Sequence, residues 1–285
     1  MAMDVESKVA MTWTGAATLV DPKISMKRGA LYIAENRLLN MLKWWKSIIA
    51  FGLGNPTLYL LSIGVGVGSL VDSSMGPNAI DGVSYLTFLA PALLATAGIQ
   101  GAMDEVTWPT LQGFNWDKTF FSMNATAITG KQIVNGILLA AMARAVLQVF
   151  LYGLCLIAFG AVTWASLPIL VLVSSTAGLG FAAIMLGFAG GIKEDDGIFA
   201  LVGRFIVTPM FMFSGTFYPI TSMPIYLQWI GWISPQWHAT NLGRALSYGM
   251  PIETWLLILH WGVMALMTVF GMVWAHRVFE KRLAS

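Results

Sequence analysis

Six apolar runs decide what this chain can fold into. They fall at 48–70, 83–103, roughly 137–164, 167–192, 198–215 and 255–276. A helix needs about 20 mainly apolar residues to cross about 30 Å of hydrocarbon. At that depth no water is present to satisfy backbone N–H and C=O groups, so segments of this kind must be helical. Composition agrees: 57% of the 285 residues are hydrophobic and 11% are charged, whereas a soluble domain carries about 25% charged residues. The expectation is therefore an all-α membrane protein with six transmembrane helices. The third run is longer than a crossing requires, and the fifth is short and contains Arg204. A further stretch, 217–248, holds Pro219, Pro224 and Pro235 among many aromatics and has no uninterrupted run long enough to cross.

The basic residues orient this map. Lys8, Lys23, Lys27, Arg28, Arg37, Lys43 and Lys46 precede the first run, and Lys118 and Lys131 lie between the second and third. Lys193 lies between the fourth and fifth, and Arg277, Lys281 and Arg282 follow the sixth. Thirteen of the 16 basic residues thus share one side, Arg144 and Arg204 lie in or near spans, and only Arg244 falls opposite. The positive-inside rule then expects both termini in the cytoplasm. The expected division is a cytoplasmic N-terminal segment over 1–47, a transmembrane region over 48–276 and a cytoplasmic tail over 277–285. The transmembrane region includes a cytoplasmic loop at 104–131 and an outer segment at 216–250. No cleavable leader is expected, because the first 47 residues lack a short apolar core followed by a small-residue cleavage site.

Over 24–46, Leu31, Leu38, Leu39 and Leu42 mix with Arg28, Arg37, Lys43 and Lys46 at helical spacing, and Trp44 and Trp45 stand where the chain meets the bilayer. This pattern suits a helix lying in the cytoplasmic interface, with the Trp pair as anchor at headgroup depth. A plain helix leading into the first span is the alternative. Glycines cluster at 64, 66 and 68 and at 178, 180, 187, 190 and 191, where small residues let helices approach closely in lipid. Packing within the chain or dimerisation through the first span would both use them.

Absent motifs narrow the function. No G-x-x-x-x-G-K-[S/T] occurs, so the chain does not cradle ATP phosphates in a P-loop. His238, His260 and His276 are scattered, and Cys155 is the only cysteine, which excludes an internal disulfide and a thiolate metal cluster. A net charge of +2 gives no case for nucleic acid. The remaining route to an enzyme is a carboxylate at the membrane surface, Asp104, Glu105 or Asp196, acting on a lipid-linked sugar.

Residues 211–246 resemble the last external region of type-2 ABC exporter permeases. The resemblance rests on Ser214, Gly215, Phe217, Pro219, Pro224, Leu227, Ser234, Pro235 and Arg244. After the second span, Glu105, Phe114, Trp116, Lys118, Thr119, Phe120, Met123, Thr126, Ile133, Gly136 and Arg144 resemble the branch that includes nodulation lipo-oligosaccharide and daunorubicin-type drug exporters. Ile137 stands where many relatives carry an acidic residue, and Ala125 and Ala127 flank Thr126 in place of the usual Thr-Pro.

This resemblance implies a permease that dimerises, as a homodimer or heterodimer, and pairs with two copies of a separate ABC ATPase. ATP and Mg would sit on that partner, with no cofactor in this chain. The implied cargo is an amphiphile: a lipid-linked oligosaccharide, a glycolipid or a hydrophobic drug. The 104–131 loop would be the ATPase-coupling segment, through Asp104, Glu105, Phe114, Trp116, Lys118, Phe120, Phe121 and Met123. The 216–250 segment would be a re-entrant outer helical hairpin, with Phe217, Tyr218, Tyr226, Trp229, Trp232 and Trp237 forming an outer gate or path. Arg204 would line an anionic-headgroup or glycan path, or else make a structural ion pair. Arg144 is expected to be an anchor or structural partner of Glu105. The competing expectations are the membrane-embedded enzyme already named and a pore without an ATPase.

Overall fold

A computed structural model describes residues 22–76, 80–194 and 197–285. Lys8, the first 21 residues of the N-terminal segment, Asp195 and Asp196 lie outside the described residues. Helix α1 (Pro22–Lys43) leads through a turn at Trp44 into α2 (Trp45–Tyr59), which continues as a π-helical stretch (Leu60–Val67) and α3 (Gly68–Met75). Then come α4 (Tyr85–Val106), two short helices α5 (Trp108–Asn115) and α6 (Thr119–Asn124), α7 (Gly130–Ala158) and α8 (Leu167–Gly191). The chain continues with α9 (Ile198–Val202), a π turn (Gly203–Val207) and α10 (Thr208–Phe213). After a 3-10 turn (Ile220–Ser222), α11 (Ile225–Trp232) and α12 (Pro235–Tyr248) form the helical pair expected before the last long helix, α13 (Thr254–Leu283). Among the described residues there is no β-strand, only an isolated bridge between Ile80 and Val83.

Five helical segments are long and apolar enough to cross a membrane: Trp45–Val71, Tyr85–Asn115, Gly130–Ala158, Leu167–Gly191 and Thr254–Leu283. The sixth apolar segment, Ile198–Phe213, is shorter and is interrupted by its π turn. Pro209 has no N–H to return to the preceding turn, and the Thr208 hydroxyl donates to the Gly203 carbonyl at 3.0 Å. The third apolar run is displaced toward the N-terminus relative to the sequence expectation. Thr129 and Gln132 form a reciprocal capping box that starts α7 at Gly130, and Gly160 beyond its end takes a positive φ of 74°. Capping chemistry, which hydropathy does not register, set both limits.

The helices pack through small residues. A Cβ added at Gly178 of α8 would meet the Gly98 carbonyl oxygen of α4 at 2.4 Å, and one at Gly98 would meet the Ser174 carbonyl oxygen at 2.4 Å. Gly271 of α13 lies equally close to the backbone at Ala183 and Ile184. Helix α8 is therefore a hub with α4 and α13 pressed on it backbone to backbone, as packing without a hydrophobic driving force requires. Most of the sequence's second glycine cluster serves this packing inside the chain, whereas Gly66 and Gly191 meet nothing within 4 Å. Helices α4 and α8 are mostly buried, and α2 and α13 mostly exposed.

Gly178→Val is expected to lower thermal stability in detergent by ~1–3 kcal/mol, because its side chain strikes backbone that cannot yield without moving a helix. Gly262→Ala, where nothing lies within 4 Å, should leave the melting temperature unchanged or slightly raised.

Candidate functional site

Helical periodicity places three polar ladders inside apolar helices. Thr96, Gln100 and Asp104 follow one another at four-residue spacing on α4, and Arg144, Gln148 and Tyr152 do so on α7. Asn55 and Tyr59 form a shorter ladder on α2. Residues four apart share one helix face, and the three faces meet around a groove of about 720 Å³. Trp44, Phe51, Leu93 and Phe211 complete its wall. The hydroxyl of Tyr59 and Nε of Arg144 are buried without a hydrogen-bond partner among the described residues. Unpaired polar groups at membrane depth are costly and mark pathways for polar cargo. The signal for this groove in the sequence is the i, i+4, i+8 spacing of polar residues within apolar runs, not any motif.

The groove adjoins a second, more polar cavity of about 570 Å³ between α1, α4, α5 and α6. Here two consecutive carboxylates grip different helices. Glu105 Oε1 lies 3.5 Å from Arg37 Nη1 of α1, and Asp104 Oδ2 lies 3.3 Å from Arg144 Nη2 of α7. The ion-pair partner of Arg144 is thus Asp104, while the expected Glu105 feels the Arg144 charge after that of Arg37; successive helical residues point about 100° apart, and Asp104 is the one turned toward α7. Arg37 also stands over the Phe120 ring at 5.5 Å. Burial lowers the pKa of Arg37, and the charge of Glu105 partly counters this.

The 104–131 segment is two-sided. Phe114 and Phe120, 2% and 1% exposed, turn inward and meet each other at 4.8 Å and Phe279 of α13 at 4.9 and 5.6 Å. Met123 packs half-buried on the same cluster. Trp116 is 60% exposed and stacks on Trp108, which is itself exposed; Lys118 also faces outward, and Phe121 is partly exposed with its ring edge-on to Phe114 at 5.9 Å. Arg282 of α13 fixes the segment from below. Its guanidinium donates to the Gly190 and Ile192 carbonyls at 2.7 and 2.6 Å and to the Asn115 side chain, and lies 4.1 Å over the Phe114 ring. It thereby satisfies the end of α8, where helix carbonyls lack intrahelical partners.

At the opposite end, α12 carries a buried polar layer. Arg244, 3% exposed, donates to the Phe88 and Gly215 carbonyls and lies 3.6 Å over the Phe88 ring. Burial lowers its pKa to about 10, so it stays charged at neutral pH. Gln236 donates to Thr96 at 2.8 Å and Thr216 at 3.2 Å, linking this layer to the groove. His238 Nε2 donates to the Trp232 carbonyl at 2.9 Å, so its Nδ1 accepts from His260 Nδ1 at 2.7 Å. Trp237 packs edge-on against both rings, and Phe217 against Phe211. Tyr218, Tyr226, Trp229 and Trp232 are exposed, as are Trp44 and Trp45 near the other end. Arg204 is exposed on the π turn and makes no salt bridge among the described residues.

The family model described as "ABC-2 type transporter" matches residues 30–248, which take in the groove, both polar ends and the two-sided segment. The chain belongs to the ABC-2 type transporter family. Among curated proteins, Nodulation protein J of Rhizobium leguminosarum bv. viciae is 29% identical over 247 residues, covering 86% of this chain and 92% of that protein. Nodulation protein J of Rhizobium meliloti (strain 1021) is 28% identical over 216 residues, 75% of this chain and 80% of that protein. The Neorhizobium galegae protein of the same name is 27% identical over 247 residues, 86% and 91% of the two chains. As an ABC-2 permease this chain is a membrane-embedded transport subunit, and its groove belongs to a transporter.

Arg282→Ala leaves two helix-terminal carbonyls without their donor and should cost about 2–3 kcal/mol, read as a lower melting temperature. Arg282→Lys should recover only part of the loss, because one ammonium cannot reproduce the planar fork.

Proposed function

We propose that this chain is the permease of an exporter built from two permease copies and two separate ATP-hydrolysing subunits in a bacterial cytoplasmic membrane. Its six crossings count Ile198–Phe213 as the fifth, with both termini in the cytoplasm. The cargo is an amphiphile of the lipid-linked oligosaccharide, glycolipid or hydrophobic drug class, moved outward from the cytoplasm or inner leaflet. The observation that carries this reading is the groove: polar ladders face an opening among otherwise apolar helices, a surface suited to a hydroxylated head with an apolar tail alongside.

Coupling to the ATPase falls to the outward side of 104–131. Trp108, Trp116 and Phe121 offer apolar anchors to a groove on a partner, as helix-in-groove docking requires. The inward residues Phe114, Phe120 and Met123 pass movement on to the spans, and ATP with its Mg stays on the partner. At the other end, the exposed aromatics of α11 sit at the outer membrane boundary, where amphipathic rings are favoured. They ease the cargo out of the groove.

Coexpression with the ATPase from the same gene neighbourhood, followed by detergent extraction, tests the assignment. The wild-type chain should copurify with that ATPase. Trp116→Glu and Phe121→Glu should each weaken the association by about tenfold or more, the loss of one aromatic anchor, and Trp116→Glu should do so without changing the melting temperature. Undiminished binding by both variants would sink the coupling assignment, and failure of the wild-type chain to associate at all would sink the exporter.

A further inference from the structure

The groove and the cytoplasmic cavity share three lining side chains, Trp44, Asp104 and Arg144. These residues stand where the two cavities meet. We propose that they form an inner gate, an ion-pair latch with an indole flap, that admits cargo to the groove. The proposal rests on the groove being the transport path.

The latch is made to open. A strong arginine–carboxylate pair is bidentate, with N–O distances of about 2.7–2.9 Å. Here a single Nη2–Oδ2 contact spans 3.3 Å, Nε of Arg144 has no hydrogen-bond partner, and the Asp104 side chain is 45% exposed. The neighbouring pair is also a single contact, at 3.5 Å, and differs in its burial. Arg37 and Glu105 are both nearly buried, and Arg37 is further held over Phe120. One carboxylate at the end of α4 fixes α1, while the next makes a contact that breaks with little loss.

Trp44 supplies the flap. It stands between α1 and α2 with φ −103° and ψ 16°, outside either helix, and its side chain is largely exposed. A few residues at an element boundary that absorb a backbone rotation are what hinges require. Helix α1 is tied through Arg37 to Glu105 and to Phe120 of α6. Displacement of α6 therefore pulls α1, and Trp44 lies where α1 turns into the first span.

Thiol accessibility tests this directly. The only native cysteine is removed as Cys155→Ser, and a single cysteine is introduced as Asn55→Cys, which lines the groove alone, or Asn40→Cys, which lines the cytoplasmic cavity alone. The full-length protein in inside-out vesicles is treated with a charged, membrane-impermeant methanethiosulfonate. With the gate intact, the thiol at 40 should react fast and the thiol at 55 slowly. Asp104→Asn or Trp44→Ala should speed reaction at 55 by about two- to fivefold, the effect of removing a partly exposed ion pair or its flap, and leave 40 unchanged. The exchange Asp104→Arg with Arg144→Asp should restore slow reaction at 55. Equal rates at 55 with and without the gate residues overturn the proposal, as does a charge exchange that stays open. The labelling needs no ATPase, so an exporter assignment that fails on copurification leaves this result separately readable.

Discussion

The backbone contact between Gly98 and Gly178 governs the rest of the architecture. With α4 pressed against α8 at those positions, the orientation of α4 about its own axis is fixed. Residues two positions away on a helix point roughly to the opposite side, so Thr96 and Gln100 are turned away from α8 and toward the groove. A second close approach, Gly101 against Gln148 and the Arg144 carbonyl, sets α7 beside α4 with its own polar ladder facing the same opening. Helix α2 and its π-helical continuation reach the bundle through Gly52 on Leu151 and Gly64 on Leu86, side-chain contacts that bring them less near. The groove is what remains between two helices locked by glycine and a third held at side-chain distance.

The 104–131 end of the bundle shows how a short helical segment can face two ways. Its inner face is a cluster of Phe114, Phe120 and Phe279, pinned by Arg282 and overlain by Arg37. Its outer face carries Trp108, Trp116 and Phe121. Aromatic clusters and charged caps of this kind resist small deformation, so a push on the outer face moves the segment as a unit. Three spans or their extensions, α4, α8 and α13, end on it.

Much of this was legible in the residues, and what was not follows a pattern. Run length and the placement of lysine and arginine gave the helical membrane fold, since hydrocarbon thickness admits few alternatives. Proline spacing marked the broken helices before α13, and the motif at 211–246 pointed to the family. Periodicity within the 104–131 segment showed that it is amphipathic but not which aromatic faces inward. That depends on Phe279, more than 150 residues away in the chain. The partner of Arg144 was misassigned for the same reason: adjacent Asp104 and Glu105 are equivalent in sequence and become distinct only once α1 and α7 flank them. Arg244 stood out as the one basic residue on the far side, yet its partners are backbone carbonyls, and a sequence carries no mark for those.

The paired histidines couple two helices through the placement of one proton. His238 reaches a carbonyl with one nitrogen and His260 with the other, and each ring's tautomer is dictated by its neighbour. An arrangement in which one donor meets one acceptor at a buried site does not tolerate replacement of a single member, because the survivor is left with an unmet bond. The pair therefore ties α12 to α13 through one directional bond between positions 22 residues apart in the chain, so that the two helices share a single proton arrangement at their contact.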